Sequence, residues 1–298
     1  MASTVATIDS VLPNIGAGRP GVVRRLLKQR MGVLSLVFLI PIILLSFLGP
    51  FAYKVSPVRA DPINSNAAPN SEHWLGTDEL GRDELARLLH GGRVTLLVGF
   101  ISMVVAVSAG LMVGGTAAYF GGWVEVVLMR LVDLFMAIPP LFLILVQLTV
   151  FGNSTATVIV VVGISFWAQI ARVVYADVLR FKNAPFVEAS AALGAGHLRL
   201  LIRHLAPQVI PSTVVLGTLV VAWSILTSAA LSYLGLGIQP PLASWGSMLQ
   251  DAQSYIWLDP KLAVLPGVAI SVTVLCFTLL GNALRDTLDP KSLQRPNR

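Results

Sequence analysis

The chain has 298 residues, of which 55% are hydrophobic and only 12% are charged, against about a quarter charged in an ordinary soluble domain. With a mean hydropathy of +0.77, this balance excludes a soluble globular protein and predicts a polytopic membrane protein. The formal charge of +6 does not indicate a nucleic-acid partner, because the basic residues lie mostly in loops, where they set topology and contact anionic lipid head groups.

The first apolar run follows a short polar segment. Residues 1–21 are small, polar and contain glycine and proline, so they are predicted to be disordered. The run from Met31 to Tyr53 is longer than the core of a secretory signal and is predicted to be a retained span. Because a span needs about 20 apolar residues, the sequence predicts six. They are residues 31–52, 93–119, 124–150, 155–176, 209–233 and 262–283.

Three basic clusters set the predicted orientation. They are Arg19 to Arg30, Arg172 to Arg203, and Arg285 with Lys291, Arg295 and Arg298. Four spans and then two spans separate them, so all three lie on one side, which the positive-inside rule makes cytoplasmic. The loop after the first span carries five basic residues, and this topology places it outside. The loop is long enough for these positive charges to be translocated, so the predicted orientation is kept. We predict an all-α polytopic helix bundle, with a membrane domain at 31–284 between cytoplasmic tails at 1–30 and 285–298.

The segment from His73 to Glu84 leads into the second span. Asp78 with Arg82, and Asp83 with Arg87, have the i,i+4 spacing of helical ion pairs. With leucines following on one side, the segment is predicted to be an amphipathic helix at the outer interface. It either turns the chain into the membrane or receives a partner.

Two charged residues lie within the third span, close to its cytoplasmic end. Arg130 and Asp133 are three residues apart, and ionisable groups inside a membrane are costly and usually paired or functional. We predict an intramembrane pair between them. Asp177 lies near Arg172 and Arg180 at the cytoplasmic end of the fourth span, and it too is either part of a structural ion pair or a functional charged group.

A polar island separates the fourth and fifth spans. Asn183 can cap a short helix, Pro185 suits its first turn, and Glu188 lies early, where the helix dipole favours an anion. Alanine and serine then leave one face bare enough for another protein to approach the backbone. Gly194 can end the helix in a left-handed conformation. The alternative is a solvated amphipathic connector.

The fifth span ends in a segment of alternating glycine and apolar residues, from Leu231 to Pro241. This pattern ends a helix and predicts a tight re-entrant turn at the outer face. Trp245, Tyr255 and Trp257 suit an interfacial aromatic belt. The alternative is an ordinary anchored loop.

Three of these stretches resemble the C-type membrane subunits of dipeptide, oligopeptide and nickel ABC importers. Glu188-Ala189-Ser190, followed by Gly194 and Pro207, resembles the EAA loop of ABC importer permeases; His204 and Ala206 stand at its Ile and Leu positions, and Ala206 is the departure. Leu-Gly-Thr-Asp-Glu-Leu-Gly-Arg-Asp at 75–83 and Leu-Gly-Leu-Gly-x-Gln-Pro-Pro at 234–241 are similar to further strings of that family. Ser228 replaces a glutamate that is frequent in it. The resemblance runs from about residue 20 to Pro290.

The resemblance implies the ABC importer permease fold and a cytoplasmic coupling loop, residues 180–207, whose helix docks into a cleft of a separate ATPase subunit. The residues assigned to coupling are Phe186, Glu188, Ala189, Ser190, Leu193, Gly194, Arg199 and Pro207. The outer-face family segments contribute Gly76, Thr77, Asp78, Gly81, Arg82, Asp83, Gly235, Gly237, Gln239, Pro240 and Pro241.

The implied function is the membrane half of a peptide importer in the cell membrane of a prokaryote, with both termini cytoplasmic. Its implied partners are a second, related permease forming a heterodimer, two ATPase subunits and an extracytoplasmic binding protein. The sequence has no phosphate-binding loop, nucleophile elbow or metal-ligand cluster, so we expect no enzymatic activity, metal or cofactor in this chain; ATP and Mg²⁺ bind the partner ATPases. A nickel chelate or another small solute is the alternative to a peptide as the transported substrate. Two other classes, a self-sufficient channel or secondary carrier and a polytopic membrane enzyme, are the alternatives.

Overall fold

The computed structural model describes residues 22–288, and α-helix dominates this range. Within it no β-strand forms beyond one isolated bridge between Thr77 and Asp83. The predicted disorder of residues 1–21 concerns residues outside the described range. The same holds for Arg19 of the first basic cluster, for Pro290, and for Lys291, Arg295 and Arg298 of the last.

The helices follow one another with short connections, apart from two longer outer loops. They are α1 (Val22–Leu26), α2 (Arg30–Ala52), α3 (Glu84–Phe120), α4 (Gly122–Ala137), α5 (Pro140–Phe151), α6 (Thr155–Lys182), α7 (Pro185–Ala192), α8 (His197–Arg199), α9 (Ala206–Tyr233), α10 (Trp245–Ala252) and α11 (Lys261–Leu288). A π-helical segment, Leu200–Leu205, joins α8 to α9, so that one continuous helix runs from His197 to Tyr233.

Five helices are long and apolar enough to cross a membrane: α2, α3, α6, the His197–Tyr233 helix and α11. The consecutive helices α4 and α5 make a sixth span if they are counted together. The predicted all-α membrane bundle is therefore confirmed, and its six spans agree with this count. The observed helices are longer than the apolar runs: α3, for example, begins at Glu84 rather than at residue 93.

The third predicted span is broken rather than continuous. Helices α4 and α5 meet at an angle of 94°. Ile138 is extended at φ −100° and ψ 129°, because a residue before proline is disfavoured in the α region. Pro139 and Pro140 then supply no backbone N–H, so the helix cannot pass through them. The predicted span over 124–150 is therefore made of two helices joined at a bend.

The centre of the bundle is the close pair α3 and α6. Gly110 and Gly114 on α3 face the backbone of Ala171 on α6, and a Cβ on Gly110 would lie 3.0 Å from the Ala171 nitrogen. Beside this contact, the buried Ser102 hydroxyl donates to the carbonyl of Ile159 at 2.8 Å. Small residues and interhelical hydrogen bonds are what hold helices together where lipid offers no hydrophobic drive. These two helices therefore form a rigid unit on which the other elements are arranged.

The outer end of the bundle is closed by the short helix α10, which packs against α3, α9 and α11. Trp245 at its start is 2% exposed, its indole N–H donates to the carbonyl of Leu88 at 2.9 Å, and its backbone N–H donates to the hydroxyl of Thr95 at 3.1 Å. The predicted place of Trp245 in an interfacial belt is wrong, because the indole finds its hydrogen-bond partner inside the bundle. Trp257, at 97% exposed, lies at the surface.

Candidate functional site

The loop between α6 and α9 forms a short helix at the predicted place. Pro185 occupies its first turn, and Glu188 is the acidic residue of that turn. Gly194 has a φ of +84°, the left-handed conformation that terminates a helix. Asn183 does not cap α7: it ends α6, and the residue before the new helix is Ala184, which has no capping side chain.

Helix α7 is held to the bundle by one side chain. Val187 is buried, and it belongs to the same apolar cluster as Leu200, Leu205 and Val209 of the following helix. The Ser190 hydroxyl donates to the Phe186 carbonyl of its own helix at 3.0 Å, so it does not reach outward. The remaining surface of α7 is therefore left open.

This open surface is apolar as well as charged. We call it the α7 surface, and its members are Phe186, Glu188, Ala189, Leu193, Leu198, Arg199 and Ile202, all of them exposed. Leu193 is 90% exposed, and among the described residues Glu188 makes no ion pair. Exposed apolar side chains beside charged ones are typical of surfaces that contact another protein or a membrane. Of the other residues assigned to coupling, Gly194 lies in the adjoining turn and Pro207 in the first turn of α9.

The two ends of the loop are tied to the end of α3. The Tyr119 hydroxyl contacts His197 Nδ1 at 2.7 Å, and the Lys182 ammonium donates to the Ala118 carbonyl at 3.1 Å. Both contacts bridge elements far apart in sequence. The two ends of the loop are therefore fixed to α3 by side-chain contacts as well as joined to α6 and α9 through the chain.

The outer loop, residues 53–83, folds as a compact loop, and the predicted amphipathic helix over 73–84 is wrong. Gly76 and Gly81 have φ of +82° and +73°, which no helix accommodates. The Asp83 carboxylate accepts the N–H of Ala86 at 2.7 Å and so caps α3, which begins one residue later. Thr77 is buried, and its hydroxyl accepts the N–H of Ala67 at 2.8 Å.

Asp83 pairs with residues other than the predicted Arg87. Its carboxylate contacts His73 Nδ1 and the Tyr53 hydroxyl, each at 2.8 Å. Burial, together with the hydrogen bond to Asp83 and its charge, raises the pKa of Tyr53 to about 12, so the phenol stays protonated and donates. The cap of α3 is thereby joined to the end of α2.

The predicted pair Asp78–Arg82 is confirmed at 2.6 Å, but it is part of a larger network. We call Asp78, Glu79, Arg82, Arg87 and Asp251 the outer cluster. Arg87 contacts Asp78 and reaches Asp251 on α10 at 2.7 Å, while Arg82 contacts Asp251 at 3.1 Å and Glu79 at 3.0 Å. Burial raises the pKa of Glu79, and the nearby Asp78 adds to the shift. The cluster joins the outer loop to α10.

The two outer-face family segments meet at this cluster. Gly235 has a φ of +77°, and the Gln239 amide donates to the carbonyls of Gly235 at 3.0 Å and Gly237 at 3.1 Å, which folds the second segment on itself. Pro240 and Pro241 then line a recess of about 30 Å³ together with Arg82, Arg87 and Asp251. Nothing in the sequence marks Asp251 as a member of the cluster, since an isolated acid with partners 164 and 169 residues away gives no local signal.

The intramembrane pair has a different partner from the one predicted. Asp133 contacts Arg172 of α6 and not Arg130. Helices α4 and α6 pack through the cluster that contains Val132, which brings Arg172 within reach across the helix interface. Asp177 likewise accepts a hydrogen bond from the hydroxyl of Ser212 on α9, rather than pairing with Arg172 or Arg180. The local spacing was therefore a poor guide to partner choice here.

Within residues 22–288, His, Cys, Asp and Glu side chains do not gather in groups of three that could hold a metal ion. Cys276 is buried as a free thiol. The groups that the described structure offers are thus an exposed apolar and charged surface at one end, an ionic cluster at the other, and a charged pair between them.

Comparison with known proteins gives the same family over most of the chain. Residues 106–294 match the family described as "Binding-protein-dependent transport system inner membrane component", and residues 21–69 match "N-terminal TM domain of oligopeptide transport permease C". Similar curated proteins include the glutathione transport system permease protein GsiD of Pectobacterium atrosepticum, 38% identical over 90% of this chain and 89% of that protein. The nickel transport system permease protein NikC of Escherichia coli (strain K12) is also 38% identical, over 89% of this chain and 96% of that protein.

The fold has solved counterparts. An inward-facing structure of the MetNI methionine ABC transporter aligns with 68% of this chain and 96% of its own, at a TM-score of 0.56 and 20% identity. An amino acid ABC transporter with histidines aligns with 67% of this chain and 92% of its own, at a TM-score of 0.51 and 18% identity. At these identities the likeness shows the fold alone.

Proposed function

Because this chain belongs to the family of inner membrane components of binding-protein-dependent transport systems, we propose that its α7 surface is the site where a cytoplasmic ATPase docks. The chain is a multi-pass membrane permease subunit of an ABC importer, in the group that contains peptide, glutathione and nickel permeases. It is not itself an enzyme, since ATP and Mg²⁺ belong to the partner ATPases of such importers.

The observation that carries the proposal is the exposure of α7. One buried side chain, Val187, holds the helix to the bundle, while its apolar residues Phe186 and Leu193 remain open. Exposing them to water alone is unfavourable, and a cleft that covers them would gain about 25 cal/mol per Å² of apolar area. A docked ATPase supplies that cover, and Glu188, Arg199 and the small Ala189 fix its register.

The mechanism follows from the rigid base of the loop. Closure of the ATPases on ATP moves α7, and Val187 passes the motion to Leu205 and the helix that continues into α9. The Tyr119–His197 contact passes it to α3. The transporter thus alternates between two arrangements that both ATP and the loaded binding protein bias.

The full assembly contains a second, related permease, two ATPase subunits and an extracytoplasmic binding protein. Each permease encloses half of the path. The α7 surface and both chain termini lie in the cytoplasm, and the outer cluster lies on the opposite side, where the binding protein delivers its cargo. Positive-inside counting supports this orientation.

The cargo is a small peptide. The likeness to a glutathione permease and to a putative peptide permease of Brucella suis supports this class. A nickel chelate is the second candidate, because the likeness to the nickel permease is equally strong. Purification of the binding protein from cells that express the importer, followed by mass spectrometry of its ligand, decides between the two.

Capture of the ATPase by a tagged chain tests the docking site. Glu188→Lys is expected to lower the captured ATPase by roughly tenfold, the effect of about 1.4 kcal/mol. Asp286→Lys is the matched control, since it reverses another exposed acid at the same end of the bundle. Equal capture by both variants, with uptake unchanged, would reject α7 as the docking site.

A further inference from the structure

An ion pair lies open on the side of two spans. Asp133 on α4 contacts Arg172 on α6, and their side chains are 44% and 48% exposed in this chain. Arg172 lies four residues inside the end of the predicted span 155–176, and Asp133 lies nine residues inside the start of the predicted span 124–150, about 6 Å and about 14 Å along the helix axes. Charged groups at such depth are costly in lipid and almost always face protein or a water-filled cavity. This side of the bundle is therefore not a lipid-facing side.

The pair differs from the ion pairs that hold the fold together. In the outer cluster, the Arg87 side chain is 4% exposed and contacts two carboxylates. A pair whose purpose is to stabilise the bundle would be enclosed in that way. Asp133 and Arg172 instead leave about half of their surface available to a third group.

Further polar groups surround the pair. The side chains of Glu125, Met129, Arg130, Asp133 and Tyr175 line an open recess of about 260 Å³, and the Tyr175 hydroxyl donates to Glu125. The recess thus offers both signs of charge within one small volume. It is large enough to admit water and part of a solute.

The break in the span lies on the same helix. Ile138, five residues after Asp133, is extended and exposed, and Pro139 and Pro140 leave two carbonyls of the last turn of α4 without a helical donor. Backbone that departs from a helix at membrane depth persists only where protein buries it or where it lines a water-filled cavity. It is not buried within this chain. The exposed break and the exposed pair lead independently to the same conclusion.

We propose that this side of α4 and α6 lines the water-filled passage, and that Asp133 and Arg172 bind a zwitterionic peptide on its way through. The peptide's ammonium group pairs with Asp133 and its carboxylate with Arg172, replacing their mutual contact. The inference rests on the proposed function, because a second permease closes the passage from the other side. Beyond the proposed function, it identifies Asp133 and Arg172 as residues that contact the cargo.

Cysteine labelling of the complete importer, reconstituted with its partner subunits, tests the passage. In a Cys276→Ser background, Met129→Cys lies in the recess, while Leu131→Cys is an exposed position two residues away, about 3 Å different in depth. A charged, membrane-impermeant thiosulfonate is expected to label Met129→Cys roughly tenfold faster than Leu131→Cys, since lipid excludes the charged reagent. Equal labelling rates for the two cysteine variants would overturn the conclusion that this side of α4 and α6 lines a water-filled passage.

A second arm tests the cargo contact. Dialanine is expected to slow the labelling of Met129→Cys, whereas N-acetyl-dialanine amide, which lacks both charges, is expected not to. The charge-removing double variant Asp133→Asn/Arg172→Gln should retain fast labelling and ATPase capture but lose the protection by dialanine. Protection that persists in the double variant would overturn the contact. Failure of either arm with ATPase capture intact refutes this inference alone; the Glu188→Lys experiment tests the proposed function separately.

Discussion

Replacing Arg87, near the start of α3, by methionine is expected to destabilise the protein by breaking the outer cluster, which joins the outer loop to α10. The substitution keeps much of the side-chain volume but removes one of the two arginines shared by Asp78, which is 3% exposed, and Asp251, which is 32% exposed. Breaking a buried ion pair from one side costs about 3–5 kcal/mol. Because Arg82 still contacts both carboxylates, we expect the lower end of this range, about 3 kcal/mol.

Thermal unfolding of the detergent-solubilised chain measures this loss. At about 2 °C per kcal/mol for a chain of this size, the expected fall in Tm is about 6 °C. Asp251→Asn should cost less, about 1 kcal/mol, because its carboxylate is partly solvated and the amide can still accept a hydrogen bond. Arg59→Met, an exposed arginine of the same loop, is the matched control and should change stability by less than about 0.5 kcal/mol.

The double variant Arg87→Met/Asp251→Asn separates the pair from its surroundings. Residues in one network show coupling energies of about 0.5–3 kcal/mol. We therefore expect the double variant to lose less stability than the sum of the single variants. Strict additivity, or equal Tm values for Arg87→Met and Arg59→Met, would refute the conclusion that the outer cluster joins the loop to α10.

Three further predictions concern separate parts of the molecule. Gly114→Ala should cost about 1–3 kcal/mol in thermal unfolding, because its Cβ would collide with the backbone of Ala171, whereas Gly115→Ala, whose Cβ would meet nothing within 4 Å, should be neutral or slightly stabilising. Leu193→Asp should leave Tm within about 1 °C of wild type but lower ATPase capture by roughly tenfold, since its side chain is exposed and lies on the α7 surface; unchanged capture would contradict that role. The raised pKa of Glu79 means that the folded state holds this proton more tightly than the unfolded chain, so its stabilisation is complete at low pH and is lost as pH rises through the folded pKa. The Tm of wild type relative to Glu79→Gln should therefore fall as the pH rises above about 4, the ordinary range of a glutamate carboxyl, and a difference that does not change with pH would contradict the shift.

The family and the spans were predictable because they depend on local composition. The three strings around residues 75–83, 188–207 and 234–241 identified the permease family, and comparison with known proteins confirmed it. Apolar runs of about 20 residues identified the spans, since transfer of a helix into lipid is governed by its own residues. Backbone chemistry likewise located α7, where Pro185 begins the helix and Gly194 ends it.

Turns within apolar or charged segments were less visible. Pro139 and Pro140 lie in a continuous apolar run, so hydropathy alone gave one span where the backbone bends by 94°. In the outer loop the charge spacing suggested a helix, but Gly76 and Gly81 take left-handed conformations that exclude it. In both cases steric limits on a few residues outweighed the periodicity of their neighbours.

What the sequence determined by itself is the membrane bundle, its family and the place of the short helix α7. Only the tertiary structure decided which charges meet. Asp78 does pair with the neighbouring Arg82, but it also contacts Arg87, which in turn contacts Asp251 on a distant helix. Asp133 pairs with Arg172 on another helix and not with the nearby Arg130. Hydropathy and turn chemistry are properties of residues adjacent in the chain. An ion pair depends on the distance between two side chains, and the packing of separate helices sets that distance.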